Sequence, residues 1–231
     1  IYPLTVKKGT VSKEIPLSLL AVVVLFVLVN DQILDGYIAS ILGRADGVIL
    51  LFFFIIFMYY TFGVSRVPAG TEAEQKSVKT YKFRVAAFMV VGGIVGLTVG
   101  GNMMIDGAIS IAKFFGVTEA LIGLTIVAVG TSLPELATSA VAAYRRSSDI
   151  AIGNIIGSNI FNIFWILGIS ATIRPLVFSI SLNVDILIVA FATVVLLMFM
   201  FVGKRNILER WNGLSLIGFY VIYISYLIIR G

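Results

Sequence analysis

The chain has 231 residues, of which 59% are hydrophobic and only 13% charged, against about 45–50% apolar and about 25% charged in ordinary globular domains. This composition reads as an integral membrane protein. With no histidine and no cysteine, disulfide frameworks, thiolate or imidazole metal sites, haem, Ser-His and Cys-His hydrolysis and zinc proteolysis are excluded. The formal charge of +5 reads as a signal of membrane topology, and nucleic acid is not an expected partner.

A membrane span needs about 20 mostly apolar residues. Seven stretches meet that need: Ile15–Leu34, Gly47–Val64, Val85–Ile105, Ala120–Tyr144, Ile150–Ile173, Leu182–Val202 and Trp211–Ile229. The expected fold class is therefore an all-α integral membrane protein with seven transmembrane helices. Between spans 2 and 3, residues 65–84 carry Glu72, Glu74, Lys76, Lys79, Lys82 and Arg84. That stretch reads as a cytoplasmic loop, too short to bury a core of its own. Basic residues mark the cytoplasmic side. Lys7, Lys8, Lys13, Arg66, Lys76, Lys79, Lys82, Arg84, Arg145, Arg146, Lys204, Arg205 and Arg210 fall on one side, and Arg44, Lys113, Arg174 and Arg230 on the other. The N-terminus is expected in the cytoplasm and the C-terminus outside.

Two segments of the chain echo one another. Arg44-Ala-Asp-Gly opens span 2 as Arg210-Trp-Asn-Gly opens span 7, each followed by an aromatic-rich run. Pro3-Leu4 precedes span 1 as Pro175-Leu176 precedes span 6. Spans 2 and 7 are an odd number of crossings apart, so the echo implies an inverted repeat, a layout of many secondary transporters. Residues 1–64 are then the last two spans of a first repeat, and residues 85–231 a complete five-span second repeat. On that expectation the chain, which opens on Ile1, is the C-terminal portion of a ten-helix protein.

Chemistry concentrates in span 4, at Gly130-Thr-Ser-Leu-Pro-Glu-Leu-Ala-Thr-Ser139. Pro134 lacks an amide hydrogen and clashes with the preceding turn, and Gly130 eases unwinding. A break near Gly130–Leu133 frees carbonyls that are tolerated at membrane depth only where they line a cavity or bind something. Glu135 follows at once; a charge centred in a membrane costs at least about 2.5 kcal/mol. Thr138 and Ser139, three and four residues on, share its helical face. One reading is a hard-cation site of one carboxylate, freed carbonyls and hydroxyls; the other is a kinked helix that Glu135 caps.

Span 5 holds Asn154, Ser158 and Asn162 at spacings of four, and Gly153 and Gly157 as a small-residue face for close helix packing. Its polar stripe serves either interhelical hydrogen bonding or cation ligation by neutral oxygens. Ca²⁺ takes six to eight oxygens, more than one deep carboxylate and a few hydroxyls supply, so the coordination arithmetic also calls for a missing half. Asp149 and Glu119 are read as interfacial helix caps, and Asn102 with Asp106 as interfacial hydrogen bonding or an ion vestibule. Asp185 is read as snorkelling at the outer end of span 6. Trp165 and Phe52–Phe54 are read as lipid-facing or packing groups.

Gly130-Thr-Ser-Leu-Pro-Glu135 followed by Gly153-Asn-Ile-Ile-Gly-Ser-Asn-Ile-Phe-Asn162 resembles the second alpha-repeat of the cation/Ca²⁺ exchanger superfamily, nearest to its prokaryotic sodium/calcium antiporters. The resemblance places an ion-binding alpha-repeat at residues 100–175. It implies a ten-helix fold of two inverted five-span repeats, in which Na⁺ and Ca²⁺ compete at the repeat interface and exchange by alternating access. It implies no cofactor beyond the transported ions, no enzymatic activity, and a multi-pass place in the prokaryotic inner membrane. By motif position Glu135 is the essential cation carboxylate, Thr131 and Ser132 supply backbone or hydroxyl oxygens, and Ser158 with Asn162 completes the site from the next helix. Asn162 is a departure, since several family members carry an acid there. The first alpha-repeat is absent, so the expected partners, besides the ions and the lipid bilayer, are a missing N-terminal repeat or a second copy. Alternatives are Ca²⁺/H⁺ or other cation antiport with a Glu carrying the proton, a cation channel, or an inactive fragment.

Overall fold

The computed structural model describes residues 3–7, 9–36, 38–65, 81–116, 122, 128–202 and 206–230. They fall into two compact units, Ile1–Val67 with Val141–Gly213 and Pro68–Ala140 with Leu214–Gly231.

Among the described residues six helices are long and apolar enough to cross a membrane: Thr10–Leu28, Arg44–Gly63, Phe83–Phe114, Ser148–Ile173, Ile180–Phe199 and Arg210–Arg230. The seventh expected span, Ala120–Tyr144, lies partly outside the described residues. Its described part forms two helices, Ala128–Thr131 and Leu133–Tyr144.

In the first unit, strand β1 (Leu4–Thr5) leads through a π-helical turn at Thr10–Glu14 into α1 (Ile15–Leu28). Pro16 is the second residue of α1, directly after the π-helical turn. The expected span to Leu34 is shorter in fact, because Asn30 ends the helix. Its side-chain amide donates to the Phe26 carbonyl at 2.6 Å, satisfying an acceptor that a helix terminus leaves open. A separate short helix α2 (Asp31–Leu34) and strand β2 (Ser40–Leu42) then lead to α3 (Arg44–Ser65).

In the second unit, α4 runs from Phe83 to Phe114, well past the expected end at Ile105. Asp106 is polar enough to end the apolar stretch but does not break a helix. The stop comes at Gly116, with φ of +74°, a left-handed conformation that glycine adopts without steric cost. Helices α5 (Ala128–Thr131) and α6 (Leu133–Tyr144) follow, the last four residues of α6 belonging to the first unit.

The first unit resumes with one long span built from α7 (Ser148–Ile160), a π-helical segment (Phe161–Leu167) and α8 (Gly168–Ile173). Strand β3 (Leu176–Phe178), a 3₁₀ turn (Ile180–Leu182) and α9 (Asn183–Phe199) come next. Strand β4 (Ile207–Leu208) precedes α10 (Arg210–Arg230), whose residues from Leu214 onward belong to the second unit.

Two small antiparallel ladders join distant parts of the first unit. Leu4 and Thr5 pair with Leu208 and Ile207, and Ser40, Ile41 and Leu42 pair with Phe178, Val177 and Leu176. The apolar core of this unit includes Ile15, Leu50, Ile160, Phe164 and Met200, all fully buried. Helix α3 comes close to α8 at a glycine: a Cβ on Gly47 would lie 2.6 Å from the Thr172 hydroxyl oxygen and 2.7 Å from the Gly168 carbonyl oxygen. Among the described residues a Cβ at Gly153 or Gly157 would meet no atom within 4 Å, and a close backbone approach in this unit falls at Gly47 and Gly168.

Candidate functional site

The expected break in span 4 is present at Ser132. Helix α5 ends at Thr131 and α6 begins at Leu133. Pro134, second in the new helix, has no N–H to offer the Gly130 carbonyl four residues back, so that oxygen loses its ordinary helical partner. Two residues after Pro134, the Leu136 amide donates to the Ser132 carbonyl at 2.9 Å. The Thr138 hydroxyl donates back to the Pro134 carbonyl at 2.8 Å.

The break is braced by α4. A Cβ on Gly130 would run into the side chain of Ile105, far inside van der Waals contact, so only glycine permits this approach. The ring of Pro134 lies near Gly101 of the same helix.

Glu135 stands in the first turn of α6, where a carboxylate also meets the positive end of the helix dipole. Its Oε2 is buried. Thr131 and Ser132 are exposed at the break itself. The second unit thus gathers Thr131, Ser132 and Glu135 within five residues of an interrupted helix.

Ser158 and Asn162 belong to the first unit. Ser158 is in α7 and its hydroxyl donates to the Ile155 carbonyl at 3.0 Å. Having given its hydrogen away, that oxygen keeps its lone pairs for another donor or a cation. Asn162 is exposed and lies second in the π-helical segment. Turns of this kind are rare and often sit at functional sites. Among the described residues no three Asp or Glu side chains come together as a metal cluster.

Several secondary expectations change. Asp149 does not cap its helix; it forms an ion pair with Lys7, Nζ to Oδ2 2.6 Å. Ser147 holds the cap position and makes no side-chain capping bond. Glu119 lies outside the described residues. Of the aromatic run, Phe52 is exposed, whereas Phe53 stacks on Phe164 and Phe54 packs on Phe161 and Trp165.

One buried polar contact was not foreseen from the residues. The side-chain amides of Asn30 and Asn183 exchange hydrogen bonds of 2.9 and 2.5 Å, with both residues buried. The available signal was two asparagines bordering long apolar runs, the second near the start of its helix.

Comparison with known proteins decides the family. The sodium/calcium exchanger protein family matches residues 85–229. The chain belongs to that family. It is 33% identical over 230 residues to CaxA of Alkalimonas amylolytica, covering 96% of this chain and 70% of the relative. It is 35% identical over 182 residues to the inner membrane protein YrbG of Escherichia coli, covering 76% of this chain and 54% of that one. A solved structure of the sodium-calcium exchanger NCX_Mj, soaked with Na⁺ and Sr²⁺, superposes with a TM-score of 0.75 at 29% identity, covering 96% of this chain and 67% of that chain. The chain therefore spans only part of the length of each. It is a multi-pass membrane protein of a transporter family.

Proposed function

We propose that the chain carries the second repeat of a secondary antiporter that exchanges Ca²⁺ for Na⁺ across a prokaryotic inner membrane by alternating access. The observation that carries this reading is the helix interruption at Ser132 with Glu135 on the new first turn. A carboxylate and freed backbone oxygens inside a membrane span are costly unless they serve an ion or line a cavity. Glu135 is the cation carboxylate, Thr131 and Ser132 lend backbone or hydroxyl oxygens, and Ser158 and Asn162 add neutral oxygens from the next span. Hard cations favour such an all-oxygen set, and Ca²⁺ needs six to eight ligands, so further oxygens come from an N-terminal repeat or a second copy.

In this reading residues 1–64 close the first repeat, 65–84 form a cytoplasmic loop, and 85–231 make the second repeat with its alpha-repeat at 100–175. The two strand ladders support it. One ladder joins the strand before α1 to the strand before α10, and the other joins the strand before α3 to the strand before α9. Exchanging spans 1 and 2 with spans 6 and 7 turns each ladder into the other, as an inverted repeat requires. The charge distribution supports a cytoplasmic N-terminus and an external C-terminus.

The test is Ca²⁺ uptake into vesicles bearing the full-length protein, driven by an outward Na⁺ gradient, wild type against Glu135→Gln. Uptake that needs both Na⁺ and Glu135 is the expected result. Full transport by folded Glu135→Gln would remove the carboxylate from the site, and uptake that ignores Na⁺ but follows a proton gradient would make the protein a Ca²⁺/H⁺ antiporter.

A further inference from the structure

Asn162 is the second residue of a turn that is wider than an α-helix. The chain stays right-handed helical on either side, with φ of −62° at Ile160 and −57° at Gly168, so Ser148–Ile173 is one span with an internal change of pitch. A π turn accommodates an extra residue, and each residue of an α-helix advances about 100°. Side chains after the turn are therefore rotated relative to those before it by about that much.

The downstream part of the span is constrained. Downstream, Gly168 is held against α3: a Cβ there would lie 3.2 Å from the Gly47 carbonyl oxygen. Rotating α8 would bring a larger side chain against that backbone. Were the wide turn to relax to α-helical pitch, the rotation would fall on the upstream face, which carries Ser158 and Asn162.

What occupies the turn is aromatic. Phe164 is fully buried, and its ring stacks on Phe53 of α3 with centroids 5.3 Å apart and planes within 18°. Phe54 of α3 packs on Trp165 at 4.8 Å and meets Phe161 edge-on at 5.7 Å. The first pair is stacked, the Phe54–Phe161 pair is edge-to-face and the Phe54–Trp165 pair is tilted at 40°, all with centroids in the range where aromatic rings attract. Two rings from α3 thus grip the three aromatic side chains of the wide turn, one residue before Asn162 and two and three residues after it.

We propose that Phe53 and Phe54 are positioning residues of the exchanger: by holding the π-helical turn they set the direction in which Asn162 presents its oxygen. This rests on the reading of Asn162 as a cation ligand. Neither ring touches the ion; both act through the backbone of the next span.

The experiment measures Na⁺-driven Ca²⁺ uptake in vesicles of the full-length protein as a function of Ca²⁺ concentration, with maximal rates normalised to folded protein. The variants are Asn162→Ala, Phe53→Leu, Phe54→Leu, the ring-retaining Phe54→Tyr and the exposed control Phe52→Leu. Outer-shell partners of metal ligands typically change affinity by 10–100-fold, so Phe53→Leu and Phe54→Leu are expected to raise the Ca²⁺ KM about 10-fold with little change in maximal rate. Phe54→Tyr restores the wild-type KM, and Phe52→Leu leaves it unchanged. If Asn162→Ala raises KM and the two leucine variants do not, the positioning role is overturned while the site reading stands. A fall in maximal rate at unchanged KM also overturns it, since that is the mark of a merely structural defect. Unaltered transport by Asn162→Ala overturns the site reading and the positioning role with it.

Discussion

At the residue scale the most consequential polar groups are those the membrane-spanning region would otherwise reject. Asn30 and Asn183 satisfy each other across two helices. Removing one leaves the other amide buried without its partner, a loss of about 1–3 kcal/mol. Asn30→Leu is thus expected to lower the melting temperature of purified protein, and Asn30→Leu/Asn183→Leu to lose less than the two single changes together. Strictly additive losses in that cycle would show that the amides do not act as a pair. Asn162 calls for a different measurement. Asn162→Asp adds a second carboxylate to the candidate site, and a charged ligand changes Ca²⁺ affinity more than Na⁺ affinity because the attraction scales with ion charge. The Na⁺ concentration that half-inhibits Ca²⁺ uptake is expected to rise; no change would put position 162 outside the site.

At the element scale two departures from regular helix bear on the candidate site, the break at Ser132 and the π-helical turn at Phe161–Leu167, and they were unequally legible. The break at Ser132 could be read from the residues, because proline removes a backbone donor whatever surrounds it and the acid beside it has few other uses in a membrane. Pro134→Ala returns that donor to the Gly130 carbonyl. It is expected to raise the Ca²⁺ KM while leaving the melting temperature level or higher, and a fall in both transport and melting temperature would count against the break as a binding device. The π-helical turn was not legible. Phe161-Asn-Ile-Phe-Trp-Ile-Leu167 has no glycine or proline to announce it; the turn depends on rings that α3 supplies from over a hundred residues earlier. The same distance hid the contact at Gly47, since a glycine opening a span gives no sign of which backbone will come against it. Asp149 was misread for a related reason: its local sequence suits a cap, and the competing partner, Lys7, is remote in the chain.

At the scale of the whole molecule, membrane-spanning character and the exchanger motifs follow from composition and from short local strings. Each strand ladder is only two or three residue pairs long, and no propensity argument finds strands so short. Their register is directly testable because the chain has no cysteine. Ile41 faces Val177 across an antiparallel pair, where opposed Cα atoms lie about 4.5–5.5 Å apart, within the range a disulfide spans. Ile41→Cys/Val177→Cys is expected to crosslink under mild oxidation and to run faster on a non-reducing gel, as is Thr5→Cys/Ile207→Cys. Failure of both pairs to crosslink would reject the register. The same ladders impose a schedule on biosynthesis. Leu4 is paired with Leu208, and a ribosome adding about 5–20 residues per second needs roughly 10–40 s to make the intervening chain. Throughout that interval β1 is a strand with no mate, its edge open to other chains, so insertion of the last spans is also the step that seals the first one.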